Sequence, residues 1–372
     1  MTQLNIFSVM SGTSTDGLTW VCMEVRESRG VVTSTVLQKG GRRFDPTLKS
    51  LLLSMTNQGN ASLASISRAH WGIGRALVAA SRSLRHEVDF AVFSGHTLYH
   101  EEQKVRAGGG TLQIGAVEPL ALSLGKPVLS DMRYTDVAAG GMGAPLVPAG
   151  DSLIFPRGSA VLNIGGIANI TLLRKTVSGF DTGPGNMLID GAMRRLFGKE
   201  MDRNGKIAAS GHCDERLLRR LMTDTFVRSA PPKTCGRERY GSEYVDKVIS
   251  MAGARGTSDR DIITTLSEFT VRSILYNLRK YGGGADPLII AGGGAYNRYI
   301  LDGLRSSFDG TVHTSSSFGI TPDVREAVAF GLLGYLSVNG RAANTAATGA
   351  RRLVPLGRIT VSGLSKELRH CL

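Results

Sequence analysis

The stretch SVMSGTSTDGLTWVCMEV, residues 8–25, decides how this chain is read. An apolar strand breaks into Ser-Gly-Thr-Ser-Thr-Asp-Gly and then resumes as a second alternating strand. A β-hairpin needs two turn residues, or a few more. This turn has more than that, and almost all are small hydroxyls, glycines or a carboxylate. Small residues let a backbone approach a ligand closely, and free N–H groups beside hydroxyls suit a phosphate.

The same design returns in SAVLNIGGIANITLLRK, residues 159–175, where an apolar run meets Gly165 and Gly166 and resumes. Two strand–glycine–strand units, one opening each half, predict an internal pseudo-repeat with halves at 1–155 and 156–372. A third glycine turn, in PLIIAGGGAYNRYILDGL (287–304), follows a buried strand and leads into a helix. Strands and helices alternate throughout, which predicts a mixed α/β fold. SISRAHWGIGRALVAASRSLRHE (65–87) reads as a helix before the buried strand VDFAVFSG, and TDVAAGGMGAPLVP (135–148) reads as a loop or hinge.

With 372 residues, two domains are the expectation. Hydrophobic content is 42% and there are 47 glycines, the profile of an α/β protein with many tight turns. Strand-like LNIFSV begins at once, without the pattern of a signal peptide, and no run reaches the ~20 apolar residues that span a bilayer. A cytoplasmic protein without membrane partners is expected. Cys22, Cys213, Cys235 and Cys371 form no CxxC pair, so reduced thiols are expected rather than disulfides or a zinc site. The net charge of +13 is scattered at helical spacing among leucines, without interleaved aromatics. It favours anionic small molecules over nucleic acid.

One glycine turn alone is usually a turn; three ending apolar strands can converge on a nucleotide's phosphates. None is a Walker A, and GGGAYN is not GxGxxG. Among carboxylates, Asp181 in GFDTGPGNMLID ends a β-like segment ahead of a Pro-Gly turn and Asn186, where it can act as a base or cap the helix. Asp16 lies inside the first glycine turn, and Glu326 opens an apolar helix, where the dipole favours an acid in any case. Lys233, Arg237 and Glu238 of PPKTCGRERYG can touch a ligand or pair with each other. His96 and His100 follow a buried strand.

Together VMSGTSTDGL, DMRYTDVAAGGMGAPLVP, LNIGGIANITLL, GFDTGPGNMLID, PPKTCGRE and AGGGAYNRYI resemble the anhydro-N-acetylmuramic acid kinase family and its fungal relative levoglucosan kinase. The likeness runs in order from about residue 6 to TGARRLVPLGRI (348–359). It implies the two-lobed actin-like, ribonuclease H-like fold of the acetate kinase, sugar kinase, heat-shock chaperone and actin superfamily, closing on a central ATP and substrate cleft. By this resemblance Ser11, Gly12, Thr13, Ser14, Thr15, Asp16, Gly17, Leu18 and Thr19 form an ATP phosphate loop. Gly165 and Gly166 belong to the second loop, and Gly292, Gly293, Gly294 and Asn297 lie by the nucleotide. Asp181 matches the catalytic aspartate, and Glu326 an acidic position that places metal or water. Thr97, Arg133, Gly183 and Pro184 are the expected substrate residues. The implied reagents are ATP with Mg2+ and a 1,6-anhydro sugar, opened by water as O6 is phosphorylated; no protein-held metal beyond that magnesium is expected, and a homodimer is a family expectation.

Departures cluster. SGHT stands at 94–97 where the family reads HGQT, and QIGA at 113–116 where it reads QIGD. Thr19 replaces an acid, and Asp151 stands where His is usual. These positions are expected around the sugar, which leaves anhydro-N-acetylmuramic acid, levoglucosan or a lapsed, nucleotide-binding protein as readings.

Overall fold

The computed structural model describes residues 2–12, 15–58, 61–100 and 110–362. Its strands are β1 (Thr2–Ser11), β2 (Gly17–Ser28), β3 (Val31–Arg43), β4 (Phe90–His100), β5 (Thr111–Ile114), β6 (Val128–Ser130), β7 (Ala160–Ile164), β8 (Ile167–Leu173), β9 (Val177–Pro184), β10 (Leu288–Ala291), β11 (Val312–Thr314) and β12 (Arg358–Thr360).

In the first sheet β1, β2 and β3 form an antiparallel meander, and β4 runs parallel beside β1 with β6 parallel beside β4. The second sheet repeats that plan. There β7, β8 and β9 are the meander, β10 lies parallel beside β7 and β11 parallel beside β10. The pseudo-repeat read from two glycine turns is thus a repeat of strand order and direction, the ribonuclease H-like order. The first sheet adds β5 on β4 and β12 antiparallel on β6.

Compactness divides the chain into Met1–Ile154 with Val324–Leu372, and Phe155–Asp323. Residues from Val324 on belong to the first unit. The cause is the helix Arg325–Val338, which is buried along most of its length and packs on β1, β2 and β4. A helix apolar nearly all round must be covered, and that sheet face covers it.

Local sequence accounts for the remaining elements. Ser62 caps the helix Leu63–Ser81, its Oγ accepting from the Ser65 N–H, and Ala69, Ile73, Leu77 and Ala80 form the buried face at three- and four-residue spacing. Part of the expected loop at 135–148 is helical instead, within Met132–Ala138. The reason is Asp136, fully buried, whose carboxylate accepts from the Gly143 N–H, Asn344 and Thr348. A buried carboxylate with several donors ties the glycine-rich chain down. Cys22, Cys213 and Cys235 are free, and burial pushes the thiols of Cys22 and Cys213 up to about 11, so both stay protonated. Among the described residues no helix is long and apolar enough to cross a membrane.

Candidate active site

In the second unit the register sets the chemistry. Ile289, Val161, Thr171 and Gly179 stand in one row across β10, β7, β8 and β9. The next row, where the strands end in glycine turns, is Ala291, Asn163, Asn169 and Asp181. Alternation puts Leu162, Ile164, Ala168, Ile170 and Phe180 into the core on the other face. Asp181 therefore ends a polar row beside two glycine turns, rather than capping the helix Met187–Phe197, whose N-cap position is Asn186. Its Oδ2 accepts from the Cys235 N–H at 2.9 Å, and its own N–H donates to the Lys233 carbonyl at 3.0 Å.

The second glycine turn is anchored through its carbonyls. Gly165 O accepts from Asn186 N–H and Gly166 O from the N–H groups of Gly185 and Met187, at 2.8–3.1 Å. Asn186 Nδ2 adds a bond to Gly165 O at 3.1 Å. Gly185 is required there, because a Cβ would sit 2.4 Å from Gly165 O. With its carbonyls turned into the helix start, the exposed Gly166 has an N–H without a partner among the described residues. The third turn leaves β10 next to it. Gly292 has φ +80°, and a Cβ on it would meet Asn163 Oδ1 at 2.6 Å. Gly293 is exposed, whereas Asn297 is buried and caps the helix Arg298–Ser307 through Oδ1 to Ile300 N–H at 3.3 Å. Gly183 and Pro184 are buried at the end of β9, where they pair with Ala168 and Ile167.

Lys233 is buried and donates from Nζ to the carbonyls of Phe226 and Val227, at 2.9 and 3.0 Å. Burial pulls its ammonium down to about 8, against the opposing pull of Asp181 and Asp224. The side chains of Arg237 and Glu238 lie outside the described ones.

In the first unit the turn after β1 begins at Ser11 and Gly12; Thr13 and Ser14 lie outside the described residues. Gly12 O accepts from Thr15 N–H at 3.2 Å. Asp16 is exposed and pairs with Lys49 at 2.7 Å, while Leu18 is buried and Thr19 pairs with Met10 and Gly41 across its neighbouring strands. Ser11 Oγ is 2.9 Å from Nδ1 of buried His96. Burial pulls that imidazole down to about 4, so it is neutral near pH 7, and its Nε2 is buried without a partner among the described residues. Thr97 Oγ1 accepts from Gln113 Nε2 at 3.4 Å.

Glu326 lies in the first turn of the helix Arg325–Val338. Desolvation pushes its carboxyl up and is the largest influence on it, although the residue is partly exposed. Arg325 and Arg133 act downward on that carboxyl and Asp151 upward. Arg133 also donates to Gly143 O at 3.1 Å. Arg325 and Asp151 form a two-pronged pair, with Nε to Oδ1 at 2.8 Å and Nη2 to Oδ2, and their side chains are 2% and 0% exposed. The Asp151 departure is thus a buried ion pair, and Ala116 is likewise buried.

The family model for anhydro-N-acetylmuramic acid kinase matches residues 4–362. The chain belongs to that family. Anhydro-N-acetylmuramic acid kinases of Francisella tularensis subsp. novicida and Pseudomonas putida are each 36% identical, covering 94% of this chain and 97% and 98% of theirs. The one from Clostridioides difficile is 33% identical over 95% of this chain and 97% of its own. Among solved structures, component A of the Acidaminococcus fermentans (R)-2-hydroxyglutaryl-CoA dehydratase covers 90% of this chain and 99% of its own, with 13% identity and a TM-score of 0.47.

Within the family frame, sequence reading missed Asn163, Asn169 and the Ser11–His96 and Asp151–Arg325 pairs. The asparagines had a signal: each is a polar residue at a fixed strand parity in otherwise apolar AVLNI and IANITLL. Among the described residues no group of three or more His, Cys, Asp or Glu could hold a metal ion.

Proposed function

We propose that this chain is an ATP-dependent kinase that opens 1,6-anhydro-N-acetylmuramic acid with water and places the γ-phosphoryl group on O6, giving N-acetylmuramic acid 6-phosphate. The observation that carries the reading is the position of Asp181 within β9, in the row that runs through Asn169 and Asn163 toward the glycine turns of its unit. In the reaction the water oxygen bonds to C1 and the C1–O6 bond breaks. O6 bonds to the γ-phosphorus, and the bond to the β-phosphate oxygen breaks to release ADP. Asp181 takes the proton that the water loses, a role worth about 10²–10⁴ in rate.

Gly166 and Gly293 would offer backbone N–H groups to the phosphates, and residues 11–19 would supply the other loop. Such preorganised donors stabilise charge where it develops. Mg2+ keeps several waters and binds through phosphates with one or two carboxylates, so it needs no all-protein cage. Magnesium bound with ATP would neutralise charge on the transferring group. Glu326 would position it or a water, and its neighbour Arg133 is our candidate for the sugar's lactyl carboxylate. Lys233 is excluded from that task by its two carbonyl partners.

The test is a phosphorylation screen with ATP and Mg2+ in water enriched in heavy oxygen, with anhydro-N-acetylmuramic acid, levoglucosan and open sugars side by side. The expected result is label at C1 of a 6-phosphate from anhydro-N-acetylmuramic acid. Product from levoglucosan alone would change the substrate, and product from open sugars alone would remove the water-activating role of Asp181. ATP binding without any transfer would make this a binding protein. Asp181→Asn should cut turnover about 10²–10⁴-fold while ATP binding persists.

A further inference from the structure

In the parallel ladder of β1 and β4, Val9 pairs with Phe93, but Ser11 pairs with His96 rather than Gly95. One extra residue has entered β4 at the last step of the ladder. Gly95 supplies the bend: its φ is +78°, and a Cβ on it would meet Gln113 Cβ at 2.6 Å. A β-bulge of this kind re-aims the side chain beside it. Here it brings His96 level with Ser11, and Nδ1 lies 2.9 Å from Ser11 Oγ. The Phe44 ring packs edge-on against the imidazole, with centroids 6.3 Å apart and planes at 83°. His96 and Ser11 are both buried, at the point where β1 gives way to the first small-residue turn.

That distance fits a hydrogen bond in either direction, and two separate considerations choose between them. His96 Nε2 is buried without a partner among the described residues. Burial keeps the ring neutral, so one nitrogen carries a proton and the other a lone pair. In folded proteins a buried N–H without an acceptor is rarer than an acceptor without a donor. The proton therefore belongs on Nδ1, where Ser11 Oγ can accept it, and the lone pair on Nε2. The second consideration is the ligand. Phosphate oxygens accept hydrogen bonds, so a hydroxyl that serves one must keep its own proton free. A Ser11 that donated to His96 would have none to give.

We infer that His96 is the positioning residue of the first phosphate loop: its Nδ1–H donates to Ser11 Oγ and leaves the Ser11 hydroxyl proton directed at a nucleotide phosphate. The inference rests on the proposed role of residues 11–19. His96 stands where the family pattern HGQT has Gln, so the donor is a residue of this chain's own.

The experiment reads both halves in the full chain. A two-bond ¹H–¹⁵N spectrum at neutral pH, with His96 assigned by loss in His96→Asn, should show the proton on Nδ1. A proton on Nε2 would overturn the inference. ATP affinity is then measured by titration calorimetry with Mg2+. Ser11→Ala should weaken it by about tenfold or more, the loss of a hydrogen bond to a charged group. His96→Leu keeps the hydroxyl but not its direction and should weaken it by about 2–10-fold. His96→Asn keeps an N–H near the Nδ1 position and should recover most of that loss, which a general loosening of the fold would not produce. Unchanged ATP affinity in Ser11→Ala or His96→Leu would overturn the inference. So would a raised sugar KM with ATP affinity unmoved, which would make Ser11 a sugar contact. A wild-type chain that bound no ATP would overturn both the proposed reaction and the phosphate partner of Ser11. If ATP binds and the variants behave as expected while no sugar is phosphorylated, the positioning stands and the proposed reaction fails.

Discussion

Asp151→Asn is the most informative single substitution for the first unit. It keeps the side-chain volume but removes the charge that Arg325 holds with two hydrogen bonds, and both side chains are essentially without solvent. The guanidinium is then a buried cation without its counter-ion. Breaking a buried pair from one side costs about 3–5 kcal/mol, most of it the unpaid desolvation of the survivor. For a unit of about 200 residues each kcal/mol shifts Tm by about 2–4 °C, so the transition of the first unit should fall by about 6–20 °C. Scanning calorimetry with urea titration reads both quantities. The paired control is Asp151→Leu with Arg325→Met, which fills the space without charge. It should come within about 1 kcal/mol of wild type or exceed it, since apolar replacements of buried pairs are often neutral or stabilising. A loss under 1 kcal/mol in the single variant, or a double variant no better than the single, would refute the reasoning. Glu326 provides a second readout. Asp151 acts upward on its carboxyl, so Asp151→Asn should let Glu326 ionise at lower pH.

Gly292→Ala should cost about 1–3 kcal/mol and weaken ATP binding, because Gly292 has φ +80° and the added Cβ would strike Asn163 and the Ile164 carbonyl. Gly293→Ala, with nothing within 4 Å of its Cβ position, should leave stability unchanged, as thermal melts would read. His96 predicts an acid dependence. Its pKa is about 4 folded against the ordinary 6.5, so between those values the unfolded chain binds the proton and the folded one does not. Stability should therefore fall as pH drops from 6.5 toward 4, and His96→Gln should flatten that slope in urea midpoints measured across the range. An equal slope in the variant would assign it to other groups.

Much of the fold was legible because it is written locally. Glycine turns at the ends of apolar runs mark where strands stop, and their repetition marked the repeated sheet. The apolar run VDFAVFSG also marked the buried strand after the helix Leu63–Ser81. The helix within 135–148 was not legible, since its stability comes from Asn344 and Thr348 meeting Asp136 across some two hundred residues. The packing of the helix Arg325–Val338 was not legible for the same reason: an apolar helix announces that it will be buried, not against which sheet.

The sequence by itself determined the chemistry on offer: the small-residue turns, the aspartate of GFDTGPG, and the order of motifs that marks the family. These depend on residue type and on spacing along one strand or turn. Only the tertiary structure decided which groups are engaged and which are left for a ligand. Cross-strand register put Asn169 opposite Asp181, and side-chain burial joined Asp151 to Arg325 and Ser11 to His96. Register and burial are set by residues distant in the chain, so no local pattern could have placed them.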